Sequence, residues 1–195
     1  MPITSRIEWD KRANNMRQPK THTLVEKLSS VVSNADTSAV LSDERKYRYQ
    51  LRRSWDSEKP TLAFIMLNPS TADEVEDDPT IRRCVGYAED WGYGELVVGN
   101  LYAYRTSDPN ELNKVENPVG PENDEHLEDI SDEADKVVVA WGANEAVGDR
   151  EVEVAEALNS ELHALDTTKH GHPNHPLYQP KDVEPEIWEP RVSDE

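Results

Sequence analysis

The residues best suited to chemistry follow directly after a short apolar run. Residues 62–67 read LAFIML, and Asn68, Pro69 and Ser70 come next. Because the amide of Asn68 combines donor hydrogens with an acceptor oxygen, it can hold a planar ligand or position a water molecule. The same amide could instead satisfy the local backbone in an Asx-type turn. The sequence leaves both interpretations open.

A second candidate is His175, which precedes Pro176 in a loop near the end of the sequence. Proline restricts the backbone of the residue before it, and an imidazole N–H can donate to an oxyanion or to a base carbonyl. Trp141 and Tyr178 carry flat rings on which a nucleobase could stack, or they could serve as ordinary packing residues. We therefore assign candidate catalytic roles to Asn68 and His175.

Basic and polar side chains near these positions could bind an anion such as a phosphate. We predict eight ligand- or phosphate-binding residues: Ser70, Thr71, Arg82, Asn100, Arg105, Trp141, Lys169 and Tyr178. Ion pairing with nearby aspartates is the alternative role for the basic members of this set.

A metal site is a weaker hypothesis. Its donors would be Asp73, Asp77, Asp78, His170, His172 and His175. No HExxH or CxxC pattern supports them, and the sequence has no GxxxxGK[ST], GxGxxG or GxSxG motif. We predict neither a metal nor a cofactor.

Short apolar runs that alternate with helical patterns predict an α/β fold. The runs at residues 62–67, 96–98 and 137–140 are typical of strands buried on both faces. Helical patterns follow from about residues 79, 122 and 147, the first with Asp78 as its N-cap. Loops after parallel strands emerge at one edge of a sheet, so the candidate residues are expected to converge there.

The predicted architecture has three layers, α/β/α, around a mainly parallel sheet of about four strands. An N-terminal β-hairpin is predicted from residues 38–41 and 47–55, the second with one half-buried face. Residues 1–36 are polar and are expected to be a mobile extension. Residues 37–180 are expected to form one α/β domain, and residues 181–195 an acidic tail containing proline.

The chain carries 40 acidic and 21 basic side chains, giving a formal net charge of −19 at pH 7. Such a charge repels nucleic acid at ordinary salt, but it also suits a halophilic protein, because about 1 M salt shortens the Debye length to roughly 3 Å. We favour the halophilic interpretation. The lone Cys84 and the lack of a membrane-length apolar run predict a cytoplasmic protein without a membrane partner. The oligomeric state stays open.

Five blocks, in this order, resemble a family of uncharacterised microbial and phage proteins known chiefly as a domain of unknown function. The blocks are MLNPSTAD, DDPTIRRC, VGNLYAYRTSDP, VVVAWGA and TKHGHPNHPLY. The resemblance covers about residues 38–180. It implies membership of a family and no assigned activity.

The layout also resembles the uracil-DNA glycosylase superfamily at the level of the fold. In those enzymes an Asn-Pro loop after the first sheet strand positions the hydrolytic water, a late strand ends in Trp-Gly, and a His-Pro loop supports the base. The resemblance implies that Asn68 positions water and that His175 stabilises a departing base that has been flipped out of its stack.

We therefore predict a nucleobase, nucleotide or nucleic-acid binding site, which could hydrolyse an N-glycosidic bond. A non-catalytic anion-binding or interaction domain is one alternative. A metal-assisted phosphohydrolase is the other, and the sequence does not decide whether the protein is an enzyme.

Overall fold

The computed structural model describes residues 36–70 and 77–190. All of them belong to one structural unit, Ala35–Glu195. The predicted N-terminal extension lies outside the described residues except for Asp36, and so does the predicted ligand residue Thr71.

Seven strands form one mixed sheet in the spatial order β1-β2-β4-β3-β5-β6-β7. They are β1 (Asp36–Leu41), β2 (Arg48–Ser54), β3 (Thr61–Met66), β4 (Glu95–Asn100), β5 (Lys136–Val139), β6 (Leu162–Ala164) and β7 (Glu186–Ile187). The four central strands β4, β3, β5 and β6 pair in parallel. The pairs β1–β2, β2–β4 and β6–β7 are antiparallel.

The α/β class is confirmed, but the prediction of a mainly parallel sheet of about four strands was wrong. The hairpin β1–β2 joins the sheet through β4, and β7 adds a further antiparallel edge. Half of the strand pairings are therefore antiparallel. Both faces of β2 are also more buried than its alternating pattern predicts, because Gln50 and Arg53 are buried together with Tyr49 and Leu51.

The described residues contain three α-helices, α1 (Pro79–Asp90), α2 (Asn123–Glu133) and α3 (Arg150–Ala157), and two short 3-10 helices, which span Pro109–Lys114 and Pro176–Tyr178. Asp78 is the N-cap of α1 as predicted, since its Oδ1 accepts a hydrogen bond from the N–H of Ile81 at 2.8 Å. The longest of these helices has 12 residues. No helix in the described ranges is long and apolar enough to cross a membrane.

Strand β3 is buried on both faces, and helices cover each one. Leu62 and Phe64 pack with Ile81 and Cys84 of α1, whereas the intervening Ile65 belongs to the core of α2 and α3. This alternation follows from the period of two along a strand. It holds the loop after β3 at the edge of a rigid three-layer core.

The described part of the predicted C-terminal tail is mostly exposed, but it pairs with the sheet and buries one side chain. Glu186–Ile187 forms β7 beside β6, and the ring of Trp188 packs edge-on against Trp141 with a centroid distance of 5.3 Å. Trp188 is buried. Burial of this large aromatic surface explains why a proline-rich acidic segment folds back onto the sheet.

Candidate functional site

A cleft of about 540 Å³ opens at the carboxyl ends of β3 and β5. The loop after β3 contributes Asn68 and Ser70, and the loop after β5 contributes Trp141 and Gly142. His175 and Tyr178 line the same cleft from the C-terminal part of the chain. The structure thus brings the two candidate catalytic residues together, although they lie far apart in the sequence.

Asn68 connects two loops of the cleft wall. Its Nδ2 donates hydrogen bonds to the carbonyl oxygens of Pro69 at 3.1 Å and Thr106 at 2.8 Å. Because both partners are acceptors, only the NH2 group can face them, and this fixes the orientation of the amide. The Oδ1 accepts no hydrogen bond from a described residue. The bond to Thr106 shows that Asn68 does more than satisfy a local turn.

His175 is held in one tautomer by the 3-10 helix that follows it. Its Nδ1 accepts a hydrogen bond from the N–H of Leu177 at 3.3 Å, so the neutral ring carries its proton on Nε2. Burial lowers the pKa of His175, and the charge of Asp78 opposes this effect. At neutral pH the ring is therefore uncharged, with the Nε2–H as its donor.

Asp78 lies where α1 meets the cleft and uses both of its oxygens. Oδ1 caps the helix, and Oδ2 accepts a hydrogen bond from the hydroxyl of Ser70 at 3.1 Å. Ser70 also lines the cleft. Its hydrogen is engaged by Asp78, but its oxygen can still accept a hydrogen bond.

The two predicted aromatic contacts occupy different environments. Trp141 lines the cleft but is buried, and its Nε1 donates to Glu151 at 2.9 Å. It therefore acts as part of the wall. Tyr178 lies at the rim with 82% of its surface exposed, and its ring centroid is 5.7 Å from that of His175. Tyr178 is thus the better placed of the two for stacking on a ligand.

Two predicted arginine contacts do not line the cleft. Arg82 lies along a separate groove on α1, where its Nη1 donates to the backbone oxygen of Asp77. Arg105 donates from Nη1 to the backbone oxygen of Arg45 at 3.1 Å. Neither arginine is among the described residues that line the cleft.

Asn100 and Lys169 are also absent from the described cleft lining. Asn100 ends β4 and is 1% exposed, inside the protein rather than at the cleft surface. Lys169 is exposed in the loop between β6 and the second 3-10 helix. Parallel strands bring their loops to one edge, but the direction of each side chain depends on contacts that the sequence does not show.

The cleft contains a cation that the sequence analysis did not select. Arg48 begins β2 and is the one arginine or lysine among the described residues of the lining. It is 5% exposed. Burial lowers the pKa of Arg48 to about 10, helped by the charges of Arg105 and Arg53 and opposed by that of Asp78. The sequence signal that could have indicated this cation is the concentration of arginines in β2, with Arg48, Arg52 and Arg53, in so acidic a chain.

Of the residues in the metal hypothesis, Asp78 and His175 line the cleft together. In the ranges that the structure describes, no group of three or more histidine, cysteine or acidic side chains could hold a metal ion. Asp77 forms an ion pair with Arg53 at 2.7 Å, and the Nδ1 of His172 lies 3.0 Å from Glu151. Asp73 lies outside the described residues.

The fold and the cleft define an α/β domain with a polar cleft at the carboxyl edge of its central strands. The family model described as "Protein of unknown function (DUF1643)" matches residues 48–177, about two thirds of the chain. The chain belongs to this family. Arg48, Asn68 and His175 all fall within the match.

No curated protein and no solved structure matched the chain. The resemblance to the uracil-DNA glycosylase superfamily therefore stays a prediction, as does the halophilic character.

Proposed function

We propose that the cleft binds a ligand containing a nucleobase, with Asn68 and His175 at the edge of the base. The supporting observation is that an oriented acceptor, the Oδ1 of Asn68, and an oriented donor, the Nε2–H of His175, belong to the same cleft. Nucleobases present donors and acceptors side by side on their edges. Such a fixed pair can therefore distinguish one edge pattern from another.

The size of the cleft and its rim suit such a ligand. A volume of about 540 Å³ lies within the range of roughly 300–1,000 Å³ that is usual for small-molecule sites. The exposed ring of Tyr178 supplies a surface on which a base can stack. Burying that ring against a base would also remove apolar surface from water.

Hydrolysis of an N-glycosidic bond is a second proposal on the same geometry. A water molecule held by the Oδ1 of Asn68 would attack the sugar carbon, and the electrons of the broken bond would pass to the base nitrogen. The Nε2–H of His175 would stabilise the negative charge on the departing base. The proton released by water would pass to solvent, and the base would take one up.

The alternatives differ in what they require. A binding-only domain requires the same cleft without turnover. A metal-assisted phosphohydrolase requires a donor cluster, and the described residues contain none. Free base released from a nucleoside or from a modified-base oligonucleotide, without added metal, would favour hydrolysis over binding alone.

His175→Asn is expected to abolish nucleoside binding while leaving the protein folded. Asparagine can accept the hydrogen bond from the N–H of Leu177 and so keep the cap of the 3-10 helix, but it lacks the imidazole donor. The measurement is the increase in melting temperature with added nucleosides at high potassium chloride. The control is His175→Ala, which loses the cap as well and should cost about 1 kcal/mol of stability.

An unchanged nucleoside-induced shift in His175→Asn would contradict the proposal. A pH series gives a second readout. Because burial lowers the pKa of His175 in the folded state, the stability that depends on its neutral ring is complete above about pH 6.5. It is lost as the pH falls through the folded-state pKa, and His175→Asn should not show that loss.

A further inference from the structure

We propose that Arg48 forms a phosphate-binding subsite within the cleft, and that the ligand is a nucleoside monophosphate. This inference rests on the proposed function, in which the cleft binds a nucleobase. It adds a phosphate group to the proposed ligand. Nothing in the family description assigns a role to Arg48.

The side chain of Arg48 is buried without a hydrogen-bond or ion-pair partner among the described residues. Its Nε makes no hydrogen bond, and no hydrogen bond or ion pair joins its side chain to another residue that the structure describes. The other buried arginines differ, since Arg53 pairs with Asp77 and Arg150 pairs with Asp124 and Glu153. A buried charge without a counterion is unfavourable. Arg48 therefore has the character of a residue whose counterion is a ligand.

A β-bulge directs Arg48 into the cleft. Leu41 pairs with Arg48 and Val40 pairs with Gln50, so Tyr49 is an extra residue on β2. Bulges re-aim side chains next to functional sites. In a regular strand Arg48 would share a face with Gln50 and Arg52, which instead contact His126 and Glu133 of α2.

The local charges favour an anion even in an acidic protein. With its pKa at about 10, Arg48 stays charged at neutral pH, and the charges of Arg105 and Arg53 lie close enough to lower that pKa. Asp78 is the nearby carboxylate that opposes them. The forked donors of a guanidinium match the oxygens of a phosphate.

The shape of the site favours a terminal phosphate over a polymer backbone. Only 5% of Arg48 is exposed, so a group must enter the cleft to reach it. A phosphate monoester at the end of a small ligand satisfies this condition.

The test compares four probes by calorimetry: the common nucleosides, their 5′-monophosphates, inorganic phosphate, and a single-stranded oligonucleotide without terminal phosphates. In the wild type we expect the monophosphate to bind roughly 10- to 100-fold more tightly than the nucleoside. Arg48→Met keeps the aliphatic packing and removes the charge, so it should remove this difference. Without ligand, its melting temperature should equal or exceed that of the wild type.

Two further variants separate charge from folding. Arg48→Lys keeps the charge but loses the forked geometry, so it should retain part of the difference between monophosphate and nucleoside. Asp78→Asn keeps a side-chain oxygen that can cap α1 and removes the opposing carboxylate. It should strengthen monophosphate binding, whereas a site built for cations would respond in the opposite direction.

The outcomes distinguish this inference from the proposed function. If nucleosides bind and monophosphates bind no more tightly, or if Arg48→Met keeps the difference, the subsite is refuted and the base site stands. If inorganic phosphate binds the wild type but not Arg48→Met while nucleosides fail to bind, the subsite stands and the base site is refuted. Tighter binding of the oligonucleotide than of the monophosphate, or binding of no probe, refutes the subsite.

Discussion

Asn68→Asp is expected to destabilise the protein by about 2–4 kcal/mol at neutral pH and to abolish ligand binding. In the wild type the Nδ2 faces the carbonyl oxygens of Pro69 and Thr106 at 3.1 and 2.8 Å. A carboxylate of the same shape would place an acceptor against one or both of these oxygens. The substitution therefore loses the hydrogen bonds and adds repulsion between the loops that form the cleft.

Asn68→Ala is the matched control, because it loses the same hydrogen bonds without adding charge. We expect a smaller decrease in the free energy of unfolding, about 1–2 kcal/mol. Urea unfolding at constant m-value measures this decrease. The difference in stability between the aspartate and alanine variants should become smaller at acidic pH. A carboxyl group facing carbonyl oxygens has a raised pKa, and its protonated form can donate to one of them. If the aspartate variant is as stable as the alanine variant at neutral pH, the orientation assigned to the amide is wrong.

Gly94→Ala should have the largest effect on folding. We expect it to lower the free energy of unfolding by more than about 3 kcal/mol. A Cβ at this position would overlap the backbone oxygen of Asp56 and lie 2.7 Å from the Cβ of Lys59. The backbone cannot easily move away, because the N–H of Gly94 donates to Pro60 at 2.9 Å and its oxygen accepts from Trp55 at 2.9 Å. These bonds attach the connection between β2 and β3 to the start of β4.

Gly86→Ala is the control for Gly94→Ala. Gly86 lies within α1, and apart from its chain neighbours and the backbone of its own helix a Cβ there would meet no atom within 4 Å. Alanine favours the helix by about 0.5–1 kcal/mol over glycine, so this variant should be slightly more stable than the wild type. Equal stabilities for the two alanine variants would contradict the packing described around Gly94.

The part of the site that the sequence predicts well depends on local signals. The apolar run of β3, the break at Pro69 and the cap at Asp78 are read from neighbouring residues, and the structure reproduces all three. The convergence of Asn68 with His175 followed from one rule, that loops after parallel strands share an edge. That rule places residues near each other but does not orient their side chains.

The features that the sequence did not predict depend on contacts between distant segments. The antiparallel pairing of β2 with β4 joins strands about 45 residues apart, and nothing in either strand specifies its partner. The bulge at Tyr49 adds a residue to β2, so a strict period of two assigns Arg48 to the wrong face. The backbone contacts that Arg82 and Arg105 make are equally invisible in the pattern.

The most direct test of the site is a crystal structure of the protein soaked with nucleoside 5′-monophosphates at high potassium chloride. We expect the base between the Oδ1 of Asn68 and the Nε2 of His175, with the phosphate within hydrogen-bonding distance of Arg48. A nucleotide bound instead in the groove of Arg82 and Arg83 on α1, with the cleft empty, would contradict the account.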